Sequence, residues 1–170
     1  MVISSSNNCS KTSSDVIRIR SSDTINLKRF TQNGEIQIYQ SSYRGSYSSI
    51  IRDSLRNAAL GRKVLLVQFM KGGVKQGVAN AVKLCGNLTW VRSSQSLDQY
   101  DSNVIENNKN LKESIQASTS ELWNFCKKEL LSGENDQIIL DEIFLAIKMK
   151  IIDKDDLIST LENRFISGDV

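Results

Sequence analysis

Neither histidine nor proline occurs in this chain, and cysteine appears only three times in 170 residues. The lack of histidine excludes imidazole acid–base chemistry, Ser-His-Asp triads and histidine-ligated zinc. The lack of proline removes one kind of rigid turn and otherwise restricts the fold little. Cys9, Cys85 and Cys126 are odd in number and far apart, so they form neither a disulfide framework nor a metal cluster. Cys85 and Cys126 read instead as small buried thiols. Long apolar runs are missing too. The best candidates, Val64–Met70 and Ile138–Leu140, fall far short of the ~20 residues that cross a bilayer. The amino terminus, MVISSSNNCSKTSS, has no apolar signal core, which predicts a cytoplasmic protein. At +3, the net charge is too balanced for a nucleic-acid partner, although a small excess of Lys and Arg suits a phosphate-bearing small ligand.

What is present is a globular pattern, with 39% apolar residues and a mean hydropathy of -0.30. Residues 1–33 are rich in Ser, Asn and Thr with scattered Arg and Lys, and read as a flexible, basic amino-terminal arm. Within it, 1–14 is a tail, and Val16–Arg20 alternates apolar and basic residues as an edge strand or a partner-binding arm does. From Gly34 onward an organised domain begins. Ile36–Tyr39 is a strand candidate, followed by a polar loop and a helix with Ile50, Ile51, Leu55, Ala58 and Ala59 on one face, closed by Gly61. Val64–Phe69 is an apolar run expected of a strand buried on both faces. Lys71-Gly72-Gly73 breaks it, and spacing predicts a short helix through Val74, Val78 and Val82. Leu88–Val91 is a further strand, residues 92–108 a surface loop, and 111–131 an amphipathic helix closed by Gly133. Ile138–Leu140 is a strand and Glu142–Met149 a helix. Asp153 caps a last helix through Leu157, Leu161 and Phe165.

Strands alternating with helices predict an α/β domain over 34–170, with a mostly parallel sheet and helices on both faces. The chain stops at Gly168-Asp169-Val170, where that order calls for another strand, so the sheet reads as missing its last strand or strands. Ligands of such sheets bind at the carboxyl ends of the strands. The polar residues of interest fall there: Tyr39–Ser49, Lys71 with its two glycines, Trp90, and the adjacent acids Asp141 and Glu142. An apolar strand ending in two carboxylates is how nucleotide-binding α/β proteins present acid to magnesium. Each candidate also has a plainer explanation. Lys71 can be a solvated lysine before a turn, Trp90 a core residue, Arg164 an exposed helix-end arginine, and the acid pair inherited structure.

These motifs together resemble the corrinoid adenosyltransferases of the cobinamide/cobalamin type, a P-loop-derived family. The family pattern runs strand–TGDGKGKTT–helix, then VQF-x-KG, FTW, a helix carrying a Trp, and LDE-x-x-x-A followed by a helix. Its counterparts here are Val67–Gly72, Leu88–Trp90, Trp123, Leu140–Ala146, Asp155–Leu161 and Arg164. The resemblance implies a RecA-like P-loop fold, ATP and magnesium as cofactors, a corrinoid substrate and a homodimer. It also implies the reaction, in which a reduced Co(I) corrinoid attacks the ribose 5′ carbon of ATP and expels triphosphate. By the same resemblance Asp141 and Glu142 are the catalytic pair, and these two with Ser48 the magnesium ligands. Arg44, Gly45, Ser46, Ser48, Lys71 and Trp90 are the nucleotide-binding set.

The departure from the pattern is confined to the phosphate loop. Laying YQSSYRGSYSS on YTGDGKGKTTA keeps Tyr39 and Gly45 but puts Ser41 and Tyr43 at glycine positions, Ser46 at the lysine and Tyr47 at the first threonine. Phosphate loops need glycines for close N–H approach, a lysine for charge and a small hydroxyl for the metal. Arg44 matches a second lysine of the family loop and supplies charge by a different geometry. The alternative function is therefore a catalytically silent relative that keeps the sheet as a ligand-binding or assembly module. Reinstating the loop with Ser46→Lys and Tyr47→Thr is expected to raise ATP affinity on the order of tenfold, the scale of one charge-assisted hydrogen bond. Isothermal titration checks this; unchanged affinity contradicts the alignment.

Overall fold

The computed structural model describes residues 2–4, 35–40, 48–71, 76–95 and 108–164. In chain order the elements are β1 (Val2–Ser4), β2 (Glu35–Gln37), α1 (Ser48–Ala59), β3 (Val64–Gln68), a 3-10 turn (Val78–Asn80), β4 (Val82–Leu84), β5 (Leu88–Arg92), α2 (Lys109–Ser132), β6 (Gln137–Asp141), α3 (Ile143–Lys148) and α4 (Lys154–Glu162). The six strands form one sheet in the order β2-β1-β6-β3-β5-β4. Strand β3 pairs in parallel with both β5 and β6. Strand β1 is antiparallel to β6 and β2 antiparallel to β1, so β2 points the same way as β6. Strand β4 folds back antiparallel on β5. The sheet is thus mostly parallel, as expected for the α/β class, with one reversed strand inserted and one at the edge.

Every residue of β3 is buried, which explains its unbroken apolar run. Alternate side chains go to opposite faces. Leu65 and Val67, with Val91, Ile138 and Leu140, meet Ile115, Leu122 and Cys126 of α2, Ile143 and Ala146 of α3, and Leu157 and Leu161 of α4. Val64, Leu66, Leu88 and Ile139 meet α1 through Ala58, Ile50, Ile51 and Leu55. Helices therefore cover both faces. Helix ends follow local chemistry. Asn108 Oδ1 accepts from Leu111 N at 3.1 Å to start α2, and Gly133, at φ 68°, ends it. Asp153 Oδ1 accepts from the Asp155 and Asp156 amides to start α4.

Five expectations change, the first being that the surface loop expected from residue 92 begins later, since Arg92 ends β5 and Ser93 is buried. Val2–Ser4, assigned by composition to a tail, forms β1 and pairs with β6 and β2. The first strand of the domain is Glu35–Gln37, and Ile38 and Tyr39 lie beyond it, exposed. No helix carries Val78 on to Val82: Gly77 takes φ 71°, a 3-10 turn follows, and Val82 begins β4. The hairpin returning to β5 is made possible by Cys85 and Gly86, both at positive φ. That turn leaves Cys85 exposed, whereas Cys126 is buried as expected and its thiol is pushed well above its ordinary range by burial. Val16–Arg20, Phe165 and Gly168–Val170 lie outside the described residues. Among those described, no helix is long and apolar enough to cross a membrane.

Trp123, on the inner face of α2, reaches the first turn of α4. Its Nε1–H donates to Asp156 Oδ2 at 2.6 Å, and Lys127 Nζ reaches the same oxygen at 3.0 Å. The indole donor first, then Lys127, hold the Asp156 carboxyl below its ordinary range. A lowered folded value means that this contribution to stability is complete above the unfolded value of ~3.9 and is lost as pH falls toward the folded one. Urea midpoints measured between pH 6 and 3 are expected to fall, and Asp156→Asn to flatten part of that fall. A slope that does not change on substitution contradicts the pairing.

Candidate functional site

The polar residues of the sheet gather where its three parallel strands end. Gln68 of β3 is in register with Arg92 of β5 on one side and Asp141 of β6 on the other. Side-chain alternation then aims all three to the same face as Leu66, Trp90 and Ile139, the face covered by α1. They join into one hydrogen-bonded cluster. Trp90 Nε1–H and Arg92 Nε–H both donate to Gln68 Oε1, at 3.0 and 2.7 Å. Gln68 Nε2–H donates to Asp141 Oδ2 at 2.8 Å, and Lys71 Nζ donates to the same oxygen at 2.6 Å. The Arg92 guanidinium stacks over the Trp90 ring, 4.5 Å from its centroid. Burial lowers the basicity of Arg92, and the charge of Asp141 opposes that shift.

Each link has a physical reason. Gln68 is 3% exposed, so its amide must find partners inside the protein. Side chains of Asp141 and Lys71 are 11% and 26% exposed, a pair shielded enough to strengthen the attraction and wet enough to limit desolvation. Phe69 and Met70, fully buried, pin the chain between Gln68 and Lys71, and Phe69 N bonds Asp141 O at 3.1 Å. Beside Asp141, Glu142 adopts left-handed backbone, φ 62° and ψ 21°, while its carbonyl accepts from Leu145 N and Ala146 N. A non-glycine residue in that region costs on the order of 1 kcal/mol, and such residues are enriched at functional turns, although Cys85 and Lys150 adopt the same region away from the cluster.

Helix α1 brings Ser48 toward the same end. Its last turn is fixed at the strand starts, where Asn57 Nδ2 donates to Gln137 Oε1 at 2.9 Å and Asn87 Nδ2 donates to Ala58 O at 3.3 Å. A helix of 12 residues is ~18 Å long and a five-residue strand ~17 Å, so the first turn of α1 reaches the carboxyl ends. In the sheet, β6 lies between β1 and β3, with β2, the strand that precedes the loop, one strand further out. Arg44, Gly45 and Ser46 lie outside the described residues. Trp123 and Arg164 stand apart from the cluster. Arg164 Nη1 donates to Leu161 O at 2.6 Å, closing the end of α4.

Two members of the cluster receive no role from the sequence: Arg92 lies in none of the motifs, and Gln68 stands inside the VQF motif without a function assigned to it. Their signal is register: Gln68 is the polar residue inside an apolar run, and Arg92 follows Thr89-Trp90-Val91 at the matching position. A separate cleft of about 470 Å³, lined by Ile36, Ile38, Phe144, Ile147, Leu157 and Ile158 among others, opens beside β2 and α4. Ile36 is in register with Ile3 and Ile138, which places the cleft on the opposite face from Asp141.

A family model, ATP:corrinoid adenosyltransferase BtuR/CobO/CobP, matches residues 32–169. The chain belongs to this family. A search of curated proteins finds no match. The family uses ATP and a corrinoid substrate, and the P-loop-type α/β sheet described above is consistent with its fold. Magnesium, which the resemblance also implies, would draw on Asp141, Glu142 and Ser48 at this end of the sheet. A magnesium ion requires oxygen ligands at ~2.0–2.1 Å, and Asp141 Oδ2 already receives an ammonium and an amide. Among the described residues, no group of three or more His, Cys, Asp or Glu side chains could hold a metal ion. Magnesium is commonly held by one or two carboxylates together with substrate phosphates, which needs fewer protein ligands than such a group.

Gln68 carries the cluster, so Gln68→Leu is expected to lower stability by ~1–3 kcal/mol, the range for removing a shared buried partner. Denaturant unfolding monitored by tryptophan fluorescence measures it. A loss below about 0.5 kcal/mol contradicts the network.

Proposed function

We propose that this chain is an ATP:corrinoid adenosyltransferase-like protein of cobalamin biosynthesis. It transfers the adenosyl group of ATP to the Co(I) of a corrinoid such as cob(I)alamin or cob(I)yrinic acid a,c-diamide. The observation that carries this reading is the family match over 32–169. The hydrogen-bonded cluster at the strand ends supports it by offering cations where a triphosphate leaving group needs them. A cytoplasmic setting and a homodimer complete the proposal, the second by resemblance to the family.

In this reaction the corrinoid cobalt is the nucleophile: a Co–C5′ bond forms, the C5′–O bond breaks, and triphosphate leaves with the electron pair. The protein therefore needs no nucleophilic side chain, which suits a chain without histidine. Its task is orientation and charge stabilisation. Lys71, with Arg44 from the loop, balances the charge that grows on the triphosphate. Asp141 positions Lys71 and Gln68, and Glu142 orients the nucleotide from its strained turn. Gly45, Ser46 and Ser48 present backbone N–H and hydroxyl groups to phosphate at the start of α1. Trp90, held by Gln68 and covered by Arg92, makes a flat wall for the base or the corrin.

The loop composition favours a second reading, a catalytically silent relative that keeps the sheet as a binding module for another ligand or as an assembly module. Losing a lysine and a metal-binding hydroxyl together weakens transition-state stabilisation by several kcal/mol, on the scale of one to two preorganised donors. An assay with reduced corrinoid and ATP separates the two. The main reading predicts a light-sensitive adenosyl product, with Glu142→Gln lowering its rate about tenfold or more at unchanged melting temperature. No product together with no heat of ATP binding supports the silent relative, and an unchanged rate removes Glu142 from the site.

A further inference from the structure

The loop before α1 carries Ser46 where the family pattern has its lysine, so one positive charge of the phosphate cradle is missing there. A cation that belongs to none of the motifs stands on the same face of the sheet. Arg92 ends β5 in register with Gln68, on the side where Leu88 and Trp90 meet α1. Three contacts fix it. Its backbone carbonyl accepts from Gly77 N at 3.1 Å, its Nε–H donates to Gln68 Oε1 at 2.7 Å, and its guanidinium lies 4.5 Å from the Trp90 ring centroid. The supports are themselves anchored. Gln76 Nε2–H, next to Gly77, donates to Trp90 O at 2.9 Å, and the indole is held by Gln68 and packs on the apolar layer under α1. A guanidinium so placed has little rotamer freedom left to lose when it meets an anion.

We propose that Arg92 is a triphosphate-binding residue of this site, a pinned guanidinium that supplies from β5 the charge the loop lacks at Ser46. Arginine suits the task because its planar fork meets two phosphate oxygens at once. It carries five N–H donors, of which the bond to Gln68 takes one. The guanidinium also interacts further within the protein, so an anion joins an engaged cation rather than an idle one. Burial works against its charge, and a phosphate brought beside it relieves that penalty as Asp141 does in part. The assignment rests on the proposed function for its ligand class, a triphosphate. It holds whether or not Asp141, Glu142 and Ser48 also bind magnesium.

Inorganic tripolyphosphate, with ATP in parallel, is titrated calorimetrically into the full chain, Arg92→Gln and Arg92→Lys at one fixed magnesium concentration. Arg92→Gln is expected to weaken both probes about tenfold or more, the scale of a charge-assisted hydrogen bond, and Arg92→Lys to recover part of the loss. Melting temperatures of the same samples separate binding from support: a purely structural arginine lowers the melting temperature and leaves the affinity of the folded fraction within about twofold. That result overturns the proposal, as does the absence of tripolyphosphate binding to the parent chain. A second measurement needs no variant of Arg92. The arginine Nε–H resonance in contact with the Trp90 indole should move with tripolyphosphate along the same curve as the heat; a resonance that stays in place at saturation removes Arg92 from the site. Arg92-dependent tripolyphosphate binding without any adenosyl product leaves this assignment standing and removes the proposed reaction. Adenosyl product formed with an ATP KM that Arg92→Gln does not change keeps the reaction and removes the assignment.

Discussion

A carboxylate at the dry end of a buried strand must be neutralised by something, and most of this site follows from how Asp141 meets that demand. Its neighbour in the parallel register with β3 is Gln68, the partner closest at hand. Gln68 is itself too buried to turn to water, and its carbonyl oxygen draws in Trp90 and Arg92. The charge is then balanced by Lys71, which the chain can deliver because Phe69 and Met70 anchor the exit from β3 in the core. One buried charge thus organises three strand ends. The low local dielectric that makes each bond strong also makes each missing partner expensive.

The same register explains why the site sits on the α1 face. Side chains on β3 alternate, so the helical layer of α2, α3 and α4 receives Leu65 and Val67 while α1 receives Val64, Leu66 and, at the end, the polar cluster. The helix that begins at Ser48 therefore shares a face with Asp141, and its first turn lies toward the end where the cations collect. The apolar cleft beside Ile36 and Phe144 belongs to the other face, with Lys154, Glu162 and Arg164 also along its lining.

Legibility in the sequence tracked how local each cause was. Val64–Gln68 and Gln137–Asp141 were readable as strands because burial on both faces writes an unbroken apolar run. Gly61, Gly133 and Asp153 were readable as helix punctuation because capping depends on residues a few positions away. Residues 2–4 were not, since their pairing partners stand more than thirty and more than one hundred and thirty positions along the chain. Val78 and Val82 matched a helical period by coincidence, and Gly77 with the Cys85–Gly86 turn imposed a hairpin instead. In the site, Asp141, Lys71 and Trp90 were visible as polar or aromatic residues at strand ends. Gln68 was visible only as part of a motif and Arg92 not at all, because their importance lies in which strand sits beside which.

The account's central claim is that the ligand site of this adenosyltransferase-family chain is the cation-bearing cluster at the carboxyl ends of β3, β5 and β6, on the face of α1. A crystal structure of the chain with ATP bound tests it most directly. The account predicts triphosphate oxygens within hydrogen-bonding reach of Lys71 Nζ, with the Lys71–Asp141 contact preserved. Nucleotide seated in the cleft between β2 and α4, or anywhere on the opposite face of the sheet, contradicts it.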